Sequence, residues 1–466
     1  MRKILYTVFL LLLSYVSFSQ EMNNTLYFMR FSPQANSLNP AINPEAKVWV
    51  GFPGFTSLAL QYNNNSFNLE DVLIKKGEGP KPVKIDIGNL YNAMSKNTTI
   101  NLNSELALFS LGIKVKEQYF TLDIKHKNSF GMGFDKSFFG FFKNGPTKYM
   151  GKTVQFGDTQ MNVLAYNEIA LGYSRVLNKE SNFVVGGKIK LIMGVASLDM
   201  SDSNISMDIA PDGMSSRVRA NMDVRIAGPL KFNSLKGAEF KIDDMAFDDT
   251  DIVGTLLGTN NLGLGIDIGA KYDINNDFSL YASILDLGFI NWADGMHIKM
   301  KADYDWKGAN FTETAKNTST KALKELTDTL EKKFKLKKED NSYMQMLPTK
   351  IYIGGQYKVK EWLKAGLLNR TQFYNDRLYT SLTASANFKA WRRLSASVSY
   401  TMANNSYNNI GFGFTAQAGP LQLYLVTDNV LAANFTSTQL ANVRLGLNIR
   451  VGVKNKMETP KELYVE

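Results

Sequence analysis

From 378 to 453 the chain alternates without slipping register. Leu378, Thr380, Leu382, Ala384, Ala386 and Phe388 share one face, and Tyr379, Ser381, Thr383, Ser385 and Asn387 share the other. Leu394, Ala396, Val398 and Tyr400 repeat the pattern, as do Ile410, Phe412, Phe414 and Ala416, and then Val443, Leu445, Leu447, Ile449, Val451 and Val453. A period of two means β-strands with one apolar and one polar side. A soluble sandwich would turn its apolar side inward and keep its connections short at both ends. Here short turns at one end alternate with long excursions over 129–160, 199–260 and 289–348. That asymmetry predicts an all-β fold, a transmembrane antiparallel β-barrel with short turns on one side and long loops on the other. Counting from Lys47 to Val453 gives fourteen strands, with 215–226 a candidate extra hairpin in an outer loop. An even count leaves both termini on the periplasmic side of a bacterial outer membrane.

The rest of the composition agrees. After the N-terminus no segment has the roughly 18 uninterrupted apolar residues of a spanning helix, so any crossing must be by strands. The formal charge of +10, about +8 without Arg2 and Lys3, is spread along the chain, and no nucleic-acid partner is expected. There is no cysteine, and His126 and His297 are the only histidines, so neither a metal nor a cofactor is expected. His126 is followed by Lys127, Asn128 and Ser129, which puts the serine on the opposite strand face; His297 has Asp294 nearby but no serine. Nucleophile and base are not brought together, and no enzymatic activity is expected.

Residues 1–19 read as a secretory signal: Arg2 and Lys3, an apolar core from Ile4 to Leu13, then Ser17 and Ser19 before a cut ahead of Gln20. Residues 20–46 are rich in turn formers, and Pro40 and Pro44 cannot donate to a ladder, so this piece lies outside the strands. Asn39, Pro40 and Ala41 ahead of a barrel resemble the N-terminal hatch of the long-chain fatty-acid transporter superfamily, and that resemblance implies a hatch folded into the lumen where the residues alone leave an ordinary tail equally open. The barrel is expected over 47–453, followed by a periplasmic tail, 454–466. Gly51, Pro53 and Gly54 interrupt the first strand and mark either a lateral opening or a plain irregularity. Leu323, Leu326, Leu330 and Phe334 share a helical face inside the 289–348 loop, which predicts an amphipathic lid helix.

If the apolar set faces lipid, the polar set faces the lumen. Its charged members are Lys125, Lys188, Lys190, Lys271, Lys350, Lys364, Arg370, Arg444 and Arg450, against Asp123, Glu168 and Asp267. Nine cations to three anions suit an anionic solute or the carboxylate of an amphiphile, unless the charges pair with one another and with the hatch. Lipid is the expected surroundings, and an amphiphilic anion the expected ligand.

Four pieces carry a resemblance: Leu38-Asn39-Pro40-Ala41, the run 286–292 (DLGFINW), the run 427–431 (TDNVL) and the run 442–446 (NVRLG). Together they resemble a family of Bacteroidota outer-membrane barrels of unknown function, similar in form to the long-chain fatty-acid transporter superfamily and to barrel subunits that partner type IX secretion. Arg444 to Val451 also resembles the last-strand signal read by the outer-membrane insertion machinery. The resemblance implies an outer-membrane barrel, either taking up hydrophobic or amphiphilic anions or serving as an accessory subunit of a membrane complex. The Gly- and Ala-rich run that precedes Asn-Pro-Ala in the transporters is missing here, so no fatty-acid site carries over residue by residue.

Overall fold

The structure is a computed structural model describing residues 23–74, 84–156, 160–178, 183–200, 203–213, 215–232, 245–247, 254, 257–306, 335–339, 341–374, 377–389, 393–403, 406–433 and 437–452. The signal at 1–19, the lid helix expected over 323–334 and the tail at 454–466 lie outside these residues.

Fourteen strands form the wall. They are β1 (two pieces, Val48–Gly51 and Ser57–Asn64), β2 (Asn97–Val115), β3 (Gln118–Asp135), β4 (Gln160–Asn178), β5 (Phe183–Asp199), β6 (Leu262–Asp273) and β7 (Phe278–Trp292). They continue as β8 (Thr349–Lys360), β9 (Leu363–Tyr374), β10 (Arg377–Phe388), β11 (Leu394–Ala403), β12 (Ser406–Ala418), β13 (Leu421–Thr427) and β14 (Leu440–Val451). Each pairs antiparallel with its neighbours in sequence, and both pieces of β1 pair with β14, Trp49 opposite Arg450 and Ala59 opposite Arg444. The sheet is a closed barrel, which leaves the wall without an edge. Among the described residues no helix is long and apolar enough to cross a membrane.

The alternation decides which face is which. Leu171, Ile189, Leu264, Ile268, Ile353, Leu367, Val398 and Leu423 all point outward and are exposed. Leaving such side chains in water forgoes roughly 1.5–3 kcal/mol each, and an apolar patch of this extent is one that another apolar phase covers. Inward on the same strands come Lys188, Lys190, Asp267, Lys350, Ser397 and Gln422, all buried.

The loop pattern differs from expectation in two ways. β2 to β5 run to 19, 18, 19 and 17 residues, well beyond the roughly 9–11 that a bilayer requires, so the expected 129–160 excursion begins with strand as far as Asp135. Above the wall these long strands continue into an outer sheet, hydrogen-bonded to the wall as part of the same sheet and built from Thr153–Gln155, Asn204–Ile209, Ser216–Ala227, Met296–Trp306 and Lys335–Glu339. The segment at 215–226 is therefore a strand of this outer sheet, tied to β5 through Ile226 and Leu198. Phe141 of the helix Lys136–Asn144 packs with Val154, Phe156, Met207, Ile209 and Val218 to give that sheet its own core. In the second half of the barrel, β9–β10 and β11–β12 are separated by only two residues each, so the long-loop asymmetry belongs to the first half and to 428–439.

The break in β1 is not a gap. Between Gly51 and Ser57 the chain adds residues that β14 does not match, and 52–55 project outward as a turn closed by Phe55 N donating to Phe52 O at 2.9 Å. Pro53 supplies the fixed φ of the first corner and Gly54, at φ 78, the left-handed second corner, the geometry of a type II turn. Phe52 N donates to Leu447 O and Leu447 N to Phe55 O, both at 2.9 Å. The ladder is spliced around the turn at Gly51, Pro53 and Gly54, the arrangement of the plain irregularity, one of the two readings of these residues.

Candidate functional site: the plugged lumen

Residues 23–46 lie inside the barrel. A helical turn at Asn24–Tyr27 and a 3-10 turn at Pro33–Ser37 carry Leu26, Tyr27, Phe28, Met29, Phe31, Ala35, Leu38 and Ile42 into an apolar cluster with Tyr281, Leu285, Tyr352, Leu368, Tyr424 and Val426 of the wall. The core of this molecule is thus a plug packed on inward aromatic side chains. Tyr27 stacks on Tyr352 with ring centroids 5.2 Å apart.

Hydrogen bonds anchor the plug along its length. Thr25 donates its backbone N–H at 2.7 Å and its hydroxyl at 2.6 Å to Asp428 Oδ1. Gln34 Nε2 donates to Asn448 Oδ1 at 2.7 Å, Gln422 Nε2 to Phe31 O at 2.8 Å and Ser283 Oγ to Leu38 O at 2.7 Å. Asn39 Nδ2 reaches Tyr27 OH and the carbonyls of Ala270 and Ala282, while its Oδ1 accepts Ala41 N at 2.9 Å. Asn39 therefore bridges plug to wall and closes a local turn through Pro40, with Ala41 buried behind it. The wall makes room here: a Cβ on Gly269 would run into Asn39 Oδ1 and Pro40. Replacing Gly269 by valine is expected to expel this corner, seen as faster proteolysis within 30–46 while the barrel strands stay protected.

The inward charges come together as a network. Lys190 lies 2.5 Å from Asp286, 2.7 Å from Asp267 and 3.6 Å from Glu168. Lys127 lies 2.8 Å from Glu168 and 3.5 Å from Asp286, and Lys350 lies 3.1 Å from Asp286. Three cations thus face three carboxylates inside the lumen. Beside them Lys188 pairs with Asp123 at 2.8 Å, and Glu105 joins Lys125 at 3.4 Å to Arg444 at 2.9 Å. The other expected charges stand apart. Lys271 pairs with Asp273 at 2.6 Å near the short-turn end, Arg370 is buried on Gln372 and the Tyr352 ring, and Arg450 reaches Gln417 at 3.5 Å.

This corrects the nine-to-three excess read from alternation. Glu105 and Asp286 fall on the outward set if each strand is counted straight from its short-turn end, but β-bulges reverse both. In β2 the register shifts between Ala107 and Phe109, and Glu105 turns inward. In β7 both Leu285 and Asp286 are buried opposite the shift between Ile266 and Ile268, and Asp286 takes φ 57. Its backbone N–H donates to Asp267 Oδ1 at 2.8 Å. A carboxylate landing on an otherwise lipid-facing row was the sequence signal available. Lys127, also missed, lies on the Lys125 face just past the expected strand end.

A small cleft, partly open to solvent, borders Asn23 of the plug. Lys127, Lys350, Arg444 and Glu105 line it together with Leu164, Tyr166, Pro348 and Gln372. Arg444 also donates to Asn23 Oδ1 at 3.0 Å, so one cation touches both cleft and plug. The histidines take other partners: His126 meets Asn167 and Asn128, and His297 meets Asp223 of the outer sheet.

Among solved structures the chain is similar to the toluene transporter TbuX of Ralstonia pickettii, at 10% identity over 90% of this chain and 94% of that one, with a TM-score of 0.42. It is similar to the toluene transporter TodX of Pseudomonas putida, at 9% identity over 93% and 98%, with a TM-score of 0.41. A FadL homologue of Pseudomonas aeruginosa gives 11% identity over 94% and 100%, with a TM-score of 0.40. Likeness at this level says nothing of cargo. No curated protein matches the sequence. Residues 40–428 match the model of a family of unknown function, DUF5723, and the chain belongs to that family.

Proposed function

We propose that this chain is an outer-membrane barrel, exported by its N-terminal signal with both termini periplasmic, that admits hydrophobic or amphiphilic anionic small molecules past a displaceable plug. The outward apolar rows support the membrane setting. The observation that carries the uptake reading is the cleft, where Lys127, Lys350 and Arg444 outnumber Glu105 beside the apolar surfaces of Leu164, Tyr166 and Pro348. A bound carboxylate at Arg444 competes with Asn23 for the same guanidinium, so ligand binding loosens the first described residue of the plug.

The test is conductance in planar bilayers. Removing 23–46 is expected to raise it strongly over the full chain, and an unchanged conductance would defeat the plug. In parallel, Arg444→Gln is expected to weaken binding of a fluorescent fatty acid.

A second reading is a non-transporting subunit of an outer-membrane complex such as type IX secretion. The sealed, ion-paired lumen and the outer sheet favour it. Mild-detergent purification separates the two: a stoichiometric protein partner with no retained lipid supports the subunit, and a retained acidic amphiphile supports uptake.

A further inference from the structure

At the short-turn end of the lumen, beneath the plug, four neighbouring strands bring an unmatched set of donors together. Lys271 of β6 lies opposite Tyr281 of β7, Ser279 of β7 opposite Gln356 of β8, and Lys358 of β8 opposite Lys364 of β9. Lys271, Tyr281 and Gln356 are at most 3% exposed. Arg30 of the plug hangs over this patch, and its charge acts on both Lys271 and Lys364.

The acceptors nearby are already engaged. Asp273 takes Lys271 Nζ at 2.6 Å and Ser279 Oγ at 2.5 Å. Glu45 is held by Lys389 at 2.6 Å, and Asp277 and Glu361 are held by Lys358 at 3.4 and 3.0 Å. Gln356 Oε1 accepts from Tyr281 OH at 3.4 Å, which turns its amide nitrogen toward the lumen, where that nitrogen finds no partner. Arg30 Nε also has none, and among the described residues Lys364 has no ion pair. Arg30, Lys271 and Lys364, with only Asp273 and an already paired Glu45 near them, together with a buried orphan amide, describe a place that lacks an acceptor with several oxygens.

The shape agrees. The Phe28 ring packs against Gly354 and Gly366 and meets the Tyr281 ring edge-on at 5.4 Å, which roofs the patch.

We propose that this patch is a binding site for a small oxyanion, a phosphate or carboxylate group, held between Arg30, Lys364 and Gln356. It does not depend on the uptake reading. The oxyanion is either free or the head of an amphiphile, and the chemistry at the three residues is the same.

The experiment uses the full chain in detergent, titrated with inorganic phosphate and, separately, octyl phosphate by calorimetry, at constant ionic strength against chloride. Saturable phosphate binding is expected, weakened about tenfold by Lys364→Gln through the loss of one charged hydrogen bond. Binding of octyl phosphate alone, weakened by the same variant, would support the site and name the headgroup as its source. In phosphate-free buffer Lys364→Gln is expected to raise the thermal midpoint, because it removes one of three like charges; a lysine with a merely structural role would lower it. No saturable binding of either probe, or unchanged affinity together with a lowered midpoint, overturns the proposal. Arg30→Gln supplies a second variant, on the plug, with the same expected loss of affinity.

Discussion

Replacing Asp286 by alanine is expected to lower the unfolding free energy by about 3–5 kcal/mol, the cost of removing one partner from a buried ion pair. Asp286 accepts from Lys190 at 2.5 Å and Lys350 at 3.1 Å and lies 3.5 Å from Lys127. Without it three buried lysines share Glu168 and Asp267, and one positive charge stays uncompensated away from water. The backbone adds a second, smaller term. At φ 57 a residue with a Cβ sits in the left-handed region, where asparagine and glycine are tolerated better than alanine, by roughly 1–2 kcal/mol for glycine. The expected order of stability is therefore wild type, then Asp286→Gly and Asp286→Asn, then Asp286→Ala. Urea unfolding followed by tryptophan fluorescence in lipid vesicles reads it. If Asp286→Asn matched wild type, shape rather than charge would be holding the cluster.

Asp428→Ala is expected to free the plug while leaving the wall intact. Asp428 is fully buried and receives two bonds from Thr25 and one from Asn442 Nδ2 at 2.8 Å. Truncation strands those buried donors, at about 1–3 kcal/mol in total. That loss shifts plug undocking by roughly 5- to 150-fold. Hydrogen exchange of amides in 24–31 is expected to accelerate by that factor, while exchange in β2 to β5 stays as slow as in wild type. Asp428→Asn keeps an acceptor for Thr25 and is expected to fall between. Equal exchange in wild type and Asp428→Ala would show that the aromatic cluster alone seats the plug.

The two sites differ in how legible they were. Lys188, Lys190, Asp267 and Glu168 were readable because each lies on an unbroken alternating run, where facing follows from counting by two. Glu105 and Asp286 were not, since a bulge is set by the register between two strands. One extra residue on β7 opposite Asp267 reverses everything beyond it, and Leu285 and Asp286 both end up inside. The partnership of Thr25 with Asp428 spans 403 residues of sequence, and nothing local announces it.

The strand count and the apolar outer face were determined by the sequence alone, because a side chain's side of a strand is a local property repeated at every second residue. The charge balance of the lumen, the course of residues 23–46 through it and the closure of the wall at Gly51 to Thr56 were decided by the tertiary structure. The physical reason is that ion pairing, plug packing and ladder splicing each depend on distances between segments far apart in the chain. Alternation carries no such information.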